Sequence, residues 1–258
     1  MRIALLSDIH GNPLALDAVL ADVEARGGAD AYWVLGDFAA LGYDPAGATE
    51  RAARLPNARF LRGNTDRYVT AGDRPPPSPD DVRRDPGLLD QFAQVAQSFA
   101  WTQGAVSATG WFGWLAALPL EQRLTLPDGT RLLAVHAAPG TDDGPGIHPR
   151  LSDDELAALL AGCEADLVVV AHTHVPLDRT VGGVRVVNLG SISNPLSGDP
   201  RASYALLEAD ASGYRLEPRR VDYDREAVIA AIERARHPAA AHLVRFMRGE
   251  MRSPWLQP

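Results

Sequence analysis

Seven side chains of metal-binding type are spread along the chain: Asp8, His10, Asp37, Asn64, His136, His172 and His174. They offer carboxylate, amide and imidazole donors and no thiolate, a set that suits borderline ions such as Mn²⁺, Fe²⁺, Zn²⁺, Ni²⁺ or Co²⁺ better than Ca²⁺ or Mg²⁺ alone. Taken one at a time these residues mean little. Gly36-Asp37 and Gly63-Asn64 are ordinary turn dipeptides, and a histidine after a strand is more often a hydrogen-bonded structural residue than a ligand. Their shared position is the informative part, because all five blocks come directly after a short apolar run that reads as a β-strand.

The first such run is 2–7, and Asp8 and His10 follow it. Side chains two apart point the same way, so Asp8 and His10 are expected to share a face. Asn12 as N-cap and Pro13 at the first helical position then open a helix to Arg26, with an apolar face of Leu14, Leu16, Val19, Leu20 and Val23 and a stop at Gly27-Gly28. A strand at 31–35, a helix at 46–54 and a strand at 58–61 repeat the pattern, which predicts parallel strands joined by right-handed crossovers. Further strands are expected at 131–135, 167–170, 184–187, 204–207 and 214–219, with a helix at 152–160, enough for a second sheet. Ligands bind in the crevice beyond the carboxyl ends of parallel strands, so the five blocks can converge although they are far apart in sequence.

Residues 67–118 have a different character. Pro75, Pro76, Pro77 and Pro79 interrupt regular structure, and Leu88, Phe92, Val95 and Phe99 then mark a helical stripe. This segment reads as a cap inserted into a single domain spanning 1–258, with 220–258 as a C-terminal helical tail. Trp101, Trp111 and Trp114 are expected to pack the cap rather than to stack on a substrate. With 258 residues at 46% hydrophobic content, the chain is long and apolar enough for a sizeable core. Its one cysteine, Cys163, forms no internal disulfide and suits a reducing compartment. The apolar start is too short for a signal-peptide core and no run approaches the length of a membrane span, so a cytoplasmic protein without a membrane partner is expected. A net charge of −8 argues against general nucleic-acid binding.

Read in order, Asp8-Ile9-His10-Gly11-Asn12, Gly36-Asp37, Gly63-Asn64, His136 and His172-Thr173-His174 resemble the calcineurin-like metallophosphoesterase family. Within it they look most like the small bacterial and archaeal phosphodiesterases, in which the residue after the third-block asparagine is not histidine. The resemblance implies an α/β fold, a four-layer αββα sandwich of two mixed sheets. It also implies two divalent metal ions per chain, Mn²⁺ first and Fe, Zn, Ni or Co as alternatives. Asp8, His10 and His174 would bind one, Asn64, His136 and His172 the other, and Asp37 would bridge them. A hydroxide shared by the metals would attack phosphorus, with Asp37 and Asn64 in the catalytic set. Two such ions less two carboxylates leave a positive site that attracts a phosphate.

Thr65 stands where better-known relatives have a histidine that protonates the leaving group, and a threonine hydroxyl is too weak an acid for that. The expected substrate is therefore a small phosphodiester or anhydride with a good leaving group, nucleotides included, with His148 as a substitute acid. Asp66 is expected to support the ligands from behind, since ligating imidazoles give their other N–H to a carboxylate or carbonyl. Asn64, Arg67, His148 and Arg150 are the substrate-binding candidates; Arg67 and Tyr68, which leave the metal loop toward the cap, could hold a distal phosphate or ribose, although both read more readily as solvated surface residues. Asn188, Gly190 and Ser191 resemble a supporting turn behind the metals. Three rival readings stand beside this one: a phosphomonoesterase acting on nucleotides or phosphoproteins, a noncatalytic scaffold of the kind this fold provides in the retromer complex, and a nucleotide sensor. The absent histidine weighs against the first and the complete ligand set against the second. The sequence carries no signal for oligomeric state.

Overall fold

The computed structural model describes residues 1–256. Its first sheet is built from β1 (Arg2–Leu6), β2 (Ala31–Leu35), β3 (Ala58–Leu61), β9 (Ala202–Asp210) and β10 (Gly213–Val221) in the order β10-β9-β1-β2-β3. The second comprises β4 (Glu121–Thr125), β5 (Arg131–Val135), β6 (Leu167–Val170), β7 (Leu177–Val181) and β8 (Val184–Asn188) in the order β4-β5-β6-β8-β7. Both sheets are mixed. β1, β2 and β3 pair in parallel, as do β5, β6 and β8, while β9, β10, β4 and β7 join by antiparallel pairing. The five-stranded sheets and their flanking helices form an α/β sandwich of the expected class.

Alternation along the strands produces the layers. Ile3, Leu5, Trp33 and Leu35 of the first sheet meet Leu132, Ala134, Leu167 and Val169 of the second in one buried cluster. Their neighbours Ala4, Leu6, Tyr32 and Val34 face outward onto helix α1 (Pro13–Ala25), through Leu16, Val19 and Val23, and onto α2 (Pro45–Ala53). Leu133, Val135, Val168 and Val170 face the other way, onto Leu156 and Leu160 of α7 (Asp153–Leu160). Strands buried on both faces must be apolar at nearly every position, which is why these runs are so conspicuous in the sequence.

Four helices lie between β3 and β4: α3 (Asn64–Ala71), α4 (Pro79–Arg84), α5 (Leu89–Ala108) and α6 (Phe112–Ala116). Phe99, Val106 and Leu115 from this segment enter the core over the first sheet. Trp114 packs edge-on against Phe38 and Phe60, at 5.2 Å from each, and Trp111 packs against Trp114, so these two tryptophans are packing residues. At the C-terminus α8 (Arg225–Arg234) and α9 (Ala240–Met247) bury Val228, Ile232, Leu243 and Phe246 against each other. Two strands, β4 and β7, have no counterpart among the sequence expectations. Both are edge strands whose half-exposed sequences, EQRLT and LDRTV, lack the apolar run by which central strands are recognised.

Candidate metal centre

The seven candidate ligands converge on one crevice at the carboxyl ends of β1, β2, β5 and β6 and the start of α3. Asp8, His10, Asp37 and His174 each place one donor atom within 4.8 Å of all the others, and all four are buried. His10 Nε2 is 3.1 Å from His174 Nε2 and 3.6 Å from Asp8 Oδ1, and His174 Nε2 is 3.0 Å from the same Asp8 oxygen. Asp37 Oδ2 lies 3.6 Å from His10 Nε2 on one side and 3.5 Å from His136 Nε2 on the other. Beyond it Asn64 Oδ1 is 3.2 Å from His136 Nε2 and 2.9 Å from His172 Nδ1.

Asp8 and His10 do not share a face by strand alternation, as the sequence reading assumed. β1 ends at Leu6, and both residues adopt left-handed backbone, with φ of 55° and 46°. Asp37, His172 and His174 do the same, so five of the nine non-glycine residues with positive φ among the described residues are candidate ligands. Each such conformation costs about 1–3 kcal/mol and persists only where the surroundings hold it. Glycines provide part of that hold. A Cβ at Gly36, itself at φ +87°, would stand 2.2 Å from Gly63 N, and one at Gly63 would stand 2.0 Å from Asp37 Oδ1. The Gly-Asp and Gly-Asn dipeptides thus interlock across β2 and β3 and bring Asp37 beside Asn64.

Backbone carbonyls set the imidazoles. Nδ1 of His10, His136 and His174 faces the carbonyl oxygens of Ala40, Leu35 and Asn194 at 2.9, 2.6 and 2.5 Å, and His172 Nε2 faces that of Gly144 at 2.8 Å. A carbonyl only accepts, so each of these outer nitrogens must carry the proton, and the inner nitrogen of a neutral ring presents its lone pair to the crevice. His172 therefore offers Nδ1 where the other three offer Nε2. Both carboxylate oxygens of Asp8 are buried and lack a hydrogen-bond partner. Asp37 Oδ1 accepts the Thr65 N–H at 3.0 Å, which leaves Oδ2 for the crevice. A cluster of buried lone pairs 3 to 4 Å apart is satisfied by a cation at its centre, and these donors fit a divalent metal.

The electrostatics agree with that reading. Burial pushes the Asp8 carboxyl up, but the imidazoles of His174 and His10 outweigh it and hold it well below the ordinary range. Burial lowers His136, yet the charge of Asp37 and its contact with the ring bring it up to about 10. Two carboxylates in one buried pocket thus draw positive charge to themselves, which a metal ion would supply in place of protons.

Asp66 supports the centre by a different contact from the expected one. It accepts no imidazole N–H; its two oxygens take the backbone N–H groups of Asp37, Phe38 and Gly63 at 2.8, 2.9 and 2.9 Å. The imidazoles use main-chain carbonyls instead, leaving Asp66 to clamp the turn that carries Asp37. Burial and the adjacent Asp37 push its pKa up to about 7, against the three N–H groups that favour the carboxylate. Asn188 Nδ2 donates to the carbonyl of Ala171 at 2.7 Å and to Thr173 Oγ1 at 3.0 Å, tying down the turn that carries His172 and His174. Ser191 Oγ donates to the Asp8 carbonyl at 3.2 Å. Asn194, whose carbonyl holds His174, was not singled out from the sequence, although a run of polar residues at 191–194 after an apolar strand, all but Ile192, signals buried hydrogen bonding.

The remaining candidates make no contact with the seven that could be read as ligation and have partners of their own. The Arg67 guanidinium is held by Asp142, Asp143 and Asp73, and Tyr68 donates its hydroxyl to Asp143 at 2.6 Å while its ring is almost fully buried, not a surface residue. The loop bearing His148 passes beside the centre at Gly146, where a Cβ would meet His172 Cδ2 at 2.8 Å. His148 itself stacks on Trp255, with ring centroids 4.6 Å apart, and burial lowers its pKa. Arg150 is exposed.

Residues 1–212 match the family model described as the calcineurin-like phosphoesterase superfamily domain. An uncharacterised protein of Methanocaldococcus jannaschii is 28% identical over 254 residues, covering 92% of this chain and 93% of that one. The phosphodiesterase YfcE of Escherichia coli is 28% identical over 219 residues, covering 81% and 89%. Among solved structures, a metallophosphoesterase from Sphaerobacter thermophilus superimposes with a TM-score of 0.74 at 26% identity, covering 96% of this chain and 98% of its own. A hypothetical protein from Pyrococcus horikoshii shares the fold, with a TM-score of 0.77 at 22% identity, covering 95% and 97%. With its candidate ligand blocks in one buried crevice and the family model matched over most of its length, the chain belongs to the calcineurin-like phosphoesterase superfamily.

Proposed function

We propose that the protein hydrolyses phosphodiesters. The observation that carries the reading is the convergence of buried lone pairs on one crevice, with the outer nitrogen of every imidazole fixed by a main-chain carbonyl. Two divalent ions, Mn²⁺ foremost, would be held by Asp8, His10 and His174 and by Asn64, His136 and His172 with Asp37 shared, and when bound supply Lewis-acid charge and a water of lowered pKa. Asp37 keeps one oxygen on the Thr65 N–H and so holds its other oxygen steady. Asp66 acts through Asp37, by fixing its backbone, and not on substrate.

Preference for a diester or anhydride rests on Thr65. Its hydroxyl is buried, has no partner and is too weak an acid to protonate an alkoxide, so a leaving group that departs as a stable anion is favoured. The name of the Escherichia coli relative, a phosphodiesterase, supports the same direction. The test is hydrolysis of an aryl diester and an aryl monoester by metal-stripped protein reloaded with Mn²⁺, Ni²⁺ or Zn²⁺, beside Asp37→Ala. Metal-dependent diester turnover that disappears in the variant is expected; faster turnover of alkyl monoesters than of aryl diesters would refute the preference.

A further inference from the structure

A cavity of about 400 Å³ opens beside Asn64 and Thr65, between α3, α5 and the start of α9. Two of its lining residues carry buried hydroxyls without a hydrogen-bond partner: Thr65, 5% exposed, and Ser98, 3% exposed. Buried hydroxyls are ordinarily bonded, and an unpaired one costs about 1–3 kcal/mol. Finding both in the lining of one cavity, Thr65 from α3 and Ser98 from α5, next to the candidate ligand Asn64, points to a bound molecule that completes them.

The rest of the lining defines that molecule. Tyr68 and Phe99, packed edge-on at 5.7 Å, provide aromatic surface, and the Tyr68 hydroxyl is already given to Asp143. Gln91 and Gln94 stand exposed at the rim and offer amide donors and acceptors. Among the described residues no Lys, Arg, Asp or Glu lines the cavity. Burial and then Arg245 lower the pKa of its one imidazole, His242. The nearby Arg74, over the Phe99 ring, directs its guanidinium to the carbonyl oxygens of Tyr68 and Asp73. The Tyr68 and Phe99 ring faces are covered by Arg67 and Arg74, so a second phosphate or a carboxylate would find no free counter-charge here, whereas an uncharged group with donors and acceptors on its edge would find apolar surface, the Gln91 and Gln94 amides and two unpartnered hydroxyls.

Building on the phosphodiesterase reading, we propose that this cavity holds one organic arm of the diester and that the arm is a nucleoside. α5 and His242 thereby select the substrate while the strand-end ligands act on its phosphate.

The test compares kcat/KM for three 4-nitrophenyl phosphodiesters, with thymidine, hexyl and methyl as the second arm, in Mn²⁺-loaded protein. The thymidine ester is expected to exceed both others by roughly tenfold or more, the worth of one well-placed hydrogen bond. That ratio is expected to fall about tenfold in Gln94→Leu, an exposed position that does not burden folding, and in Ser98→Met, which fills the cavity. A hexyl ester as good as the thymidine ester would reduce the cavity to an apolar slot, and an unchanged ratio in both variants would remove it from substrate binding; either overturns the proposal. If no diester is turned over, the phosphodiesterase reading fails by itself, and the cavity is judged by calorimetric titration with thymidine. Saturable binding weakened in Gln94→Leu then upholds it, and absence of binding overturns it.

Discussion

The crevice and the helical wall beside it are built on opposite plans. In the crevice five candidate ligands sit in left-handed backbone, every imidazole has its outer nitrogen tied to a carbonyl, and glycines interlock where no Cβ would fit. Across 64–118 no non-glycine residue has positive φ, the regular elements are all helices, and two buried hydroxyls have no partner. Strain held by hydrogen bonds suits chemistry that tolerates little displacement. A relaxed helical wall with unpaired groups suits a surface that can be altered without disturbing that chemistry. The difference shows how one fold can keep a reaction while changing what it acts on.

Substitutions at the two places should therefore behave differently, and the largest contrast is expected at Asp37. Asp37→Ala should reduce diester turnover on the order of 10³-fold or more, beyond the 10–100-fold typical of groups that act behind a ligand. Asp66→Asn should fall in that smaller range, and equal losses in the two variants would mean that Asp66 does more than hold backbone.

Glycine substitutions sharpen the comparison in stability. Gly36→Ala forces a Cβ to 2.2 Å from Gly63 N at φ +87° and should cost roughly 3 kcal/mol or more in urea unfolding. Gly104→Ala, in α5 with nothing within 4 Å of the added Cβ, should instead stabilise by about 0.5–1 kcal/mol. Similar effects at both sites would remove the distinction between strained crevice and relaxed wall.

Metal should act on the crevice side. Mn²⁺ at about a hundred times its Kd should stabilise the protein by roughly 2.7 kcal/mol, raising Tm by about 5–10 °C, with the rise lost in Asp37→Ala. A thermal melt with and without chelator measures it.

The smallest expected effect lies on the helical side and is set by pH. His237 packs edge-on against Trp101 of α5 at 4.7 Å, and burial lowers its pKa from 6.5 to about 4. The fold thus favours the neutral ring, and the unfolded chain binds the extra proton between those values. Its contribution is complete above pH 6.5 and is lost as pH falls toward 4. Urea midpoints at pH 7.5 and 5 should differ less in His237→Phe than in the parent protein; an equal difference would assign the pH dependence elsewhere.

What the residues alone determined is the set of donor types and the scaffold that carries them. β2, β5 and β6 lie where their apolar runs predict, because strands buried on both faces leave no room for polar residues. Asn12-Pro13 opens α1 because the asparagine side chain accepts the Ala15 N–H at 3.1 Å and proline tolerates the first helical turn. The candidate ligand types, and the absence of histidine at Thr65, are read directly from the chain. Tertiary structure decided what holds those ligands and what lies beside them. The carbonyls of Leu35, Ala40, Gly144 and Asn194 that set the imidazoles are main-chain groups, identical in every residue, so no side-chain pattern could point to them. The same holds for Asp66, whose partners are N–H groups, and for the cavity where Thr65, Ser98 and His242 meet, three residues distant in sequence that only the packing of α3, α5 and α9 brings together.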